Sequence, residues 1–328
     1  MNLLASMRYL LALNEHRHFG RAAQACHITQ PALSNALKAL EQEFGVVIVQ
    51  RGRTYAGLTH EGERVLQTAQ RMVREREILQ EELNSGALRP QGSLRLGAVP
   101  TAMPVLAHFA AMLHARHPGI APVVRSMSSP EIEAELDGLG LDLGLGYTDR
   151  LGERGLRLEA TPLYGEHYYF VHRATQGPPV PPLDADQVRG PARGRSITWR
   201  EAAEHPLCLL TPEMHNRTIV DSALAIAGAQ VKPAIETNSV LALALSVVAG
   251  RVATILPAAL LDLLHGYTEL RALPLVGPEV VTPVGFLVNP EARSSRVMQA
   301  ALELAQEACW LEQSARIGMA EVQATDSP

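Results

Sequence analysis

The chain has 328 residues, 47% of them hydrophobic and 19% charged, a composition that excludes a fibrous or low-complexity protein and fits a globular one. At about 100–200 residues per domain it is too long for one ordinary core, so two or three domains are expected. The formal net charge of −5 excludes a chain that coats nucleic acid along its whole length, but residues 1–60 hold Arg8, Arg17, Arg21, Lys38, Arg51 and Arg53 against Glu15, Glu41 and Glu43, the asymmetry of a nucleic-acid-binding end.

From the N-terminus, Leu3, Leu4, Met7, Leu10, Leu11 and Leu13 keep the i, i+3, i+4, i+7 stripe of an amphipathic helix over residues 2–16. Arg8 interrupts this apolar run and no small-residue cleavage site follows, so it does not read as a secretory leader. Gly20 opens a short second helix whose alanines let another helix approach closely. After the turn His27-Ile28-Thr29, the Thr29 hydroxyl is placed to accept an orphan N–H of a third helix, and Pro31 sits where its missing N–H costs little. In that third helix Ala32, Leu33, Ala36, Leu37 and Leu40 point one way, while Gln30, Pro31, Ser34, Asn35 and Lys38 point the other.

Two helices joined by a short turn, the second bearing an exposed polar face, make a helix-turn-helix. Gln30, Ser34 and Asn35 are the candidates for base edges, and Pro31 for apolar contact with a thymine methyl. The segment "VVIVQRGRTYAGLTHEG" reads as strand, basic turn and strand, a wing beside the reading helix. Lys38, Arg51 and Arg53 suit phosphates or the minor groove, where they set affinity and salt dependence more than sequence choice. Taken alone, such a polar face is an ordinary surface helix; the turn, the wing and the helix that follows, in series, argue for double-stranded DNA as the partner.

From Thr59 a long helix begins, and Val65, Ala69, Met72, Leu79 and Leu83 keep a 4-3 alternation with Arg76 in one seam position. A stripe of about three heptads fits a dimerising helix. It ends at the hinge "NSGALRPQGS". The expected domains are therefore a winged helix-turn-helix over 1–60, a linker helix over 61–90, and a C-terminal domain over 91–328.

Beyond the hinge, strands and helices alternate: "SLRLGAV", "LAHFAAMLHARHPG", "IAPVVRSM", "PEIEAELDGLG" and "LDLGLGY" give a βαβαβ unit with a parallel sheet. A second set follows near Pro162, with strands in "LYGEHYYFVHR", "PLCLLT", "VKPAIET" and "VATILP" and helices near 218–228 and in "SVLALALSVVAG". That last helix and the strand after it make the best membrane candidate, yet Arg251 and Pro257 cut the run short of the about 18 residues a span needs, so no membrane partner is expected. The fold class is thus α+β / α/β, with two lobes over about 93–163 plus 270–310 and over 164–269. A Pro/Gly-rich surface loop occupies 175–195.

Ligands of doubly wound lobes bind beyond the C-terminal ends of the strands, where helix N-termini aim N–H groups at anions. Those points are Thr101, Ser128 and Ser129, His215, Asn216 and Arg217, and Asn238. Hydroxyls, amides and a guanidinium suit a small carboxylate or other organic anion, although Ser128, Ser129 and Asn238 stand equally well as helix caps. Cys26, Cys208 and Cys309 are odd in number and widely spaced, which gives no disulfide framework and points to a reducing cytoplasm. His114 and His117 share a helix face, but no carboxylate or Cys joins them to make a metal site. No nucleophile motif is present, so neither catalysis nor a cofactor is expected.

Phe19, Ala22-Ala23, Gln30-Pro31-Ala32-Leu33-Ser34, Leu40-Glu41, Gly45, Arg51, Leu58-Thr59 and Gly62 follow one another at fixed spacing, then come Gly140-Leu141-Asp142-Leu143 and a Gly250 before "VATILP". In this series the chain resembles LysR-type transcriptional regulators, over essentially its whole length. Gln50-Arg51 replaces a common Glu-Arg pair, and Val49 a common Phe. The resemblance implies two Rossmann-like lobes similar to periplasmic binding proteins, an effector between them, and assembly as a homotetramer built from dimers. RNA polymerase is a partner if the protein activates. The expected function is a ligand-responsive, sequence-specific DNA-binding regulator. Two rivals stand beside it: a redox sensor of the same family, against which Cys208 stands as the single thiol of the second lobe, and a two-lobed solute-binding protein with a helical cap.

Overall fold

In the computed structural model the Asn2 side chain accepts the Ala5 N–H at 3.1 Å and opens α1 (Leu3–His16). The structure describes residues 2–51, 55–84, 90–151, 157–173, 196–264, 266–267 and 269–318; Arg53 and the loop 175–195 lie outside them. Two units divide the chain, Met1–Arg89 with Asp137–Leu141, and Pro90–Leu136 with Asp142–Pro328.

In the first unit, α2 (Phe19–Ala25) begins one residue before Gly20, because the His18 ring Nδ1 accepts the N–H groups of Gly20 and Arg21 at 3.1 and 3.3 Å. Thr29 caps α3 (Gln30–Phe44), accepting the Ala32 N–H at 3.4 Å. Leu10 and Leu13 of α1, Ala22 and Ala23 of α2, and Leu33, Leu37 and Leu40 of α3 close one core. Its footprint on α3 is narrower than periodicity suggests: Ala32 is exposed and Ala36 half-buried.

The wing is an antiparallel pair, β1 (Val49–Arg51) and β2 (Tyr55–Leu58), and Glu41 ties it to α3 by accepting the N–H groups of Ile48 and Val49 at 3.0 and 3.2 Å. Then α4 (His60–Asn84) starts on Thr59, whose hydroxyl donates to the Val47 carbonyl at 2.6 Å and accepts the Gly62 N–H at 2.9 Å. Further along, Ala69 and Val73 of α4 pack on Met7 of α1.

The second unit begins with β3 (Gly92–Ala98), α5 (Met103–Arg116), β4 (Ile120–Ser126), α6 (Ser129–Asp137) and β5 (Leu143–Tyr147). These strands pair in the parallel order β4-β3-β5. Asp142 locks the start of β5 to β3, accepting the Arg95 backbone N–H at 2.7 Å and pairing with its guanidinium at 3.0 Å. Then come β6 (Glu159–Arg173), β7 (Ile197–Thr198), α7 (Trp199–Ala202), β8 (Leu207–Leu210), α8 (His215–Ile226), β9 (Ile235–Thr237), α9 (Val240–Ala249), β10 (Ala253–Pro257), β11 (Leu270–Val276), β12 (Val281–Val288), α10 (Arg296–Ala305) and α11 (Ala308–Gly318).

The long strand β6 belongs to both lobes. Its stretch Glu159–His167 pairs with β12, and Tyr168–Arg173 pairs with β10 or β11, so the crossing falls between His167 and Tyr168. Because β11 pairs with β6 and β7, residues 270–276 lie in the second lobe, and the return to the first comes with β12 rather than at 270. The rings of Phe109, Phe286 and Trp310 centre the first lobe's core. In the second lobe, strand alternation sends Cys208, Leu210 and Leu256 to the α9 side and Leu207, Leu209 and Ile255 to the side of α7 and α8. Among the described residues no helix is long and apolar enough to cross a membrane.

Candidate functional site

On α3, the buried Leu33, Leu37 and Leu40 fix which side faces out. Gln30, Pro31, Asn35 and Lys38 are exposed and Ser34 is half-buried, so the expected reading residues share one face. The Phe19 and Tyr55 rings meet edge to face at 6.2 Å, and the Arg17 guanidinium lies 5.8 Å from the Tyr55 ring centre, which packs the wing on α2. Arg51 belongs to β1.

In the second unit, a cleft opens where the strand ends of the two lobes meet. Thr101, Ser128, Ser129 and Tyr147 line it from the first lobe, His215 and Asn216 from the second, and the remaining space of about 10 Å³ holds roughly one water molecule. Ser129 is buried and its hydroxyl has no hydrogen-bond partner among the described residues, a donor and acceptor waiting at the N-terminus of α6. Ser128 is occupied, since its N–H and hydroxyl both donate to the Glu131 carboxylate at 2.8 Å. One side of the cleft is bridged: Arg150 holds Glu133 at 3.1 Å and donates to His215 Nδ1 at 2.9 Å, while the His215 ring meets Tyr147 edge-on at 4.9 Å.

Two expected residues lie elsewhere. Arg217 is turned away from the cleft, its guanidinium held by Asp221 at 2.9 Å, Glu236 at 2.7 Å and the Leu210 carbonyl at 2.8 Å. Asn238 lines a separate, mostly apolar groove of about 530 Å³ between α5, α9 and the segment 258–264, and Ser239 beside it caps α9.

Behind the cleft wall lies a polar cluster that periodicity did not reveal. The Tyr147 hydroxyl stands 3.1 Å from the Thr101 hydroxyl and donates to Glu166 at 3.2 Å; Tyr168 donates to the same oxygen at 3.3 Å. Burial pushes the Glu166 carboxyl up to about 7, against the hydrogen bonds of Tyr147, Tyr168 and Thr101, which pull it down. Burial, with the nearby Glu166 charge, holds the Tyr147 phenol well above its ordinary range. A charged residue inside the apolar strand "LYGEHYYFVHR" was the available signal for Glu166, and the Tyr ending "LDLGLGY" the one for Tyr147.

Comparison with known proteins covers both units. The family "Bacterial regulatory helix-turn-helix protein, lysR family" matches residues 4–63, and the family "LysR substrate binding domain" matches residues 87–310. The chain is 34% identical over 140 residues to the "DNA-binding transcriptional dual regulator OxyR" of Escherichia coli, covering 42% of this chain and 46% of that protein. It is 35% identical over 169 residues to a "Probable hydrogen peroxide-inducible genes activator" of Streptomyces viridosporus, covering 51% and 53%. The chain thus spans about half the length of the curated relatives it matches. Among solved structures, a full-length OxyR variant from Pseudomonas aeruginosa superposes with a TM-score of 0.67 at 23% identity, over 92% of this chain and 97% of that one. CbnR in complex with its target DNA gives 0.62 at 18% identity, over 95% and 99%. At these identities the two structures share the fold.

Proposed function

The chain belongs to the LysR family, and we propose that it is a cytoplasmic, ligand-responsive transcriptional regulator that binds promoter DNA as a dimer of dimers and senses a small organic anion between its two lobes. The observation that carries the DNA-binding part is the face of α3, where Gln30, Pro31, Asn35 and Lys38 stand out on a helix whose opposite side is fixed by Leu33, Leu37 and Leu40. Amide, hydroxyl and ammonium groups there match base edges and phosphates. The cleft supports the sensing part: a buried, unpartnered Ser129 hydroxyl and the hydroxyl of Thr101 converge on a small space. A ligand held there acts on DNA binding to the extent that it favours one assembly geometry over another. RNA polymerase becomes a partner where the protein activates.

Selection of duplexes from a random pool tests this reading. Wild type should enrich a defined sequence; Lys38→Ala should weaken binding evenly and lower the salt slope by about 1, whereas Asn35→Ala should relax preference at one base pair by about 1–3 kcal/mol. A pool that never enriches would sink the regulator reading.

The Streptomyces viridosporus relative, named as a probable hydrogen peroxide-inducible genes activator, favours a second reading, a thiol-based redox sensor. Cys208 speaks against it, lying buried on β8 among Tyr169, Leu243 and Val247 with its thiol pushed up by burial, where thiolate chemistry is suppressed. Cys208→Ser should leave the response to inducer intact, and its loss would favour the redox reading.

A further inference from the structure

Glu166 is a buried group to which the sensing role so far gives no task. It stands on β6 opposite Thr282 of β12, two residues before Tyr168 pairs with β10, at the crossing between the lobes. Its side chain is fully buried. Hydroxyls reach it from several elements: Tyr147 at the end of β5, Tyr168 on β6, Thr101 in the turn after β3, and Thr282 of β12 through Tyr168 at 3.3 Å. The Tyr164 phenol also feels its charge. His167, the next residue, faces the other side of the strand, where Glu279 acts on it. Among the described residues no cation hydrogen-bonds Glu166; the Arg150 guanidinium, on the far side of Tyr147 and His215, is engaged with Glu133 and His215.

Counting hydrogens decides what the cleft can offer. An ionised carboxylate only accepts, so it draws the hydrogens of Tyr147, Tyr168 and Thr101 toward itself, and of these the two that line the cleft, Tyr147 and Thr101, are left to show lone pairs there. A protonated carboxyl brings its own hydrogen to the cluster. Carried on the oxygen that Tyr147 and Tyr168 share and donated to Tyr147, it displaces one hydroxyl hydrogen, which can turn outward beside the Ser129 hydroxyl. An anion needs those outward donors, and in a poorly solvated cleft it is also repelled by a carboxylate one side chain away.

We propose that Glu166 couples ligand choice to a proton: an anionic ligand enters the cleft, the lobes parting to widen its one-water space, together with one proton from solvent, bound by Glu166 and returned on release, while the ionised Glu166 turns the cleft toward ligands that donate hydrogen bonds. This rests on the cleft being the sensing site. Glu166 is a specificity-determining residue that acts through Thr101 and Tyr147 rather than by touching the ligand.

Calorimetric titration of the full chain with acetate, across about pH 5.5–8.5 and in two buffers of different ionisation enthalpy, tests it. Acetate affinity should fall about tenfold per pH unit above the Glu166 midpoint, with one proton taken up per acetate. E166Q, which keeps an N–H donor in place of the protonated carboxyl, should bind acetate as acidic wild type does at every pH, with no proton uptake. Y168F lies outside the cleft and removes one donor to the ionised form, so it should move the fall to higher pH; this decides the matter if E166Q does not fold. Acetate binding that is independent of pH in wild type overturns the coupling and leaves an anion-binding cleft standing. Failure of acetate to bind wild type or E166Q at any pH overturns the cleft reading and the coupling with it.

Discussion

A carboxyl with three hydroxyls around it and, among the described residues, no cation bonded to it is a liability once ionised, and Glu166 makes this measurable without any ligand. Its folded value of about 7 lies above the ordinary 4.5, so folding binds a proton as the pH rises between those two values. Stability is therefore undiminished below about pH 4.5, falls as the pH climbs to about 7, and stays lowered above it, by roughly 3 kcal/mol at the full separation. Glutamine carries no charge to bury. E166Q should accordingly unfold at higher denaturant than wild type at about pH 8 and at the same denaturant at about pH 4; equal midpoints at both values would mean that the carboxyl is ionised in the fold at little cost. Asp142 makes the contrasting case: its acceptors are filled by the Arg95 backbone and guanidinium, a structural role in joining β5 to β3 that its place in Gly140-Leu141-Asp142-Leu143 did not disclose.

At the scale of elements, α4 carries two apolar faces, and a stripe read from sequence cannot separate them. Ala69 and Val73 meet α1 of the same chain, whereas Met72, Leu79 and Leu83 remain 38%, 55% and 72% exposed. A helix face has the same periodicity whether its cover comes from its own chain or from a second copy, and Val65 and Ala69 of the expected stripe find their cover within the chain. If α4 dimerises, the exposed set is the face left for a second copy. Leu79→Lys with Leu83→Lys should leave helix content and melting of the monomer nearly unchanged while lowering the mass seen by sedimentation; an intact oligomer would place the seam elsewhere. The start of the same helix is fixed by close approach. A Cβ on Gly62 would stand 2.1 Å from the Ile48 carbonyl oxygen, and backbone cannot yield as a side-chain tip does. Gly62→Ala should destabilise the first unit by about 2 kcal/mol or more, read by chemical unfolding of the full chain as an early transition; a change under about 0.5 kcal/mol would mean that α4 shifts freely on the wing.

Across the whole molecule, what could be read from sequence followed chain order. Local periodicity and caps gave the helix-turn-helix and the order of strands and helices, because each depends on residues a few positions apart. The cleft depends on residues far apart in sequence. Thr101, Ser129, His215 and Asn216 could be nominated as strand-end residues, but Arg217 and Asn238 met the same criterion and point elsewhere, and only strand register brings Tyr147 and Glu166 together. The lobe boundary was misplaced for a related reason: β11 runs antiparallel to β6 inside the second lobe, and nothing local marks which lobe a strand joins. Register also sets how the lobes are held. They share β6, with β12 beside it, and a side-chain bridge runs from Glu133 through Arg150 to His215. The two links of that bridge differ in kind. His215→Ala removes the cross-lobe hydrogen bond and the edge contact with Tyr147 but leaves Arg150 on Glu133, so stability should change by no more than about 1 kcal/mol while amide exchange quickens around Thr101 and at Glu166–Tyr168. Arg150→Ala takes a cation from a buried carboxylate, a loss of about 3 kcal/mol that should fall on the first lobe as a whole. If His215→Ala leaves exchange at the crossing unchanged, the shared strand alone sets the lobe angle, and a ligand in the cleft would have to bend β6 in order to act.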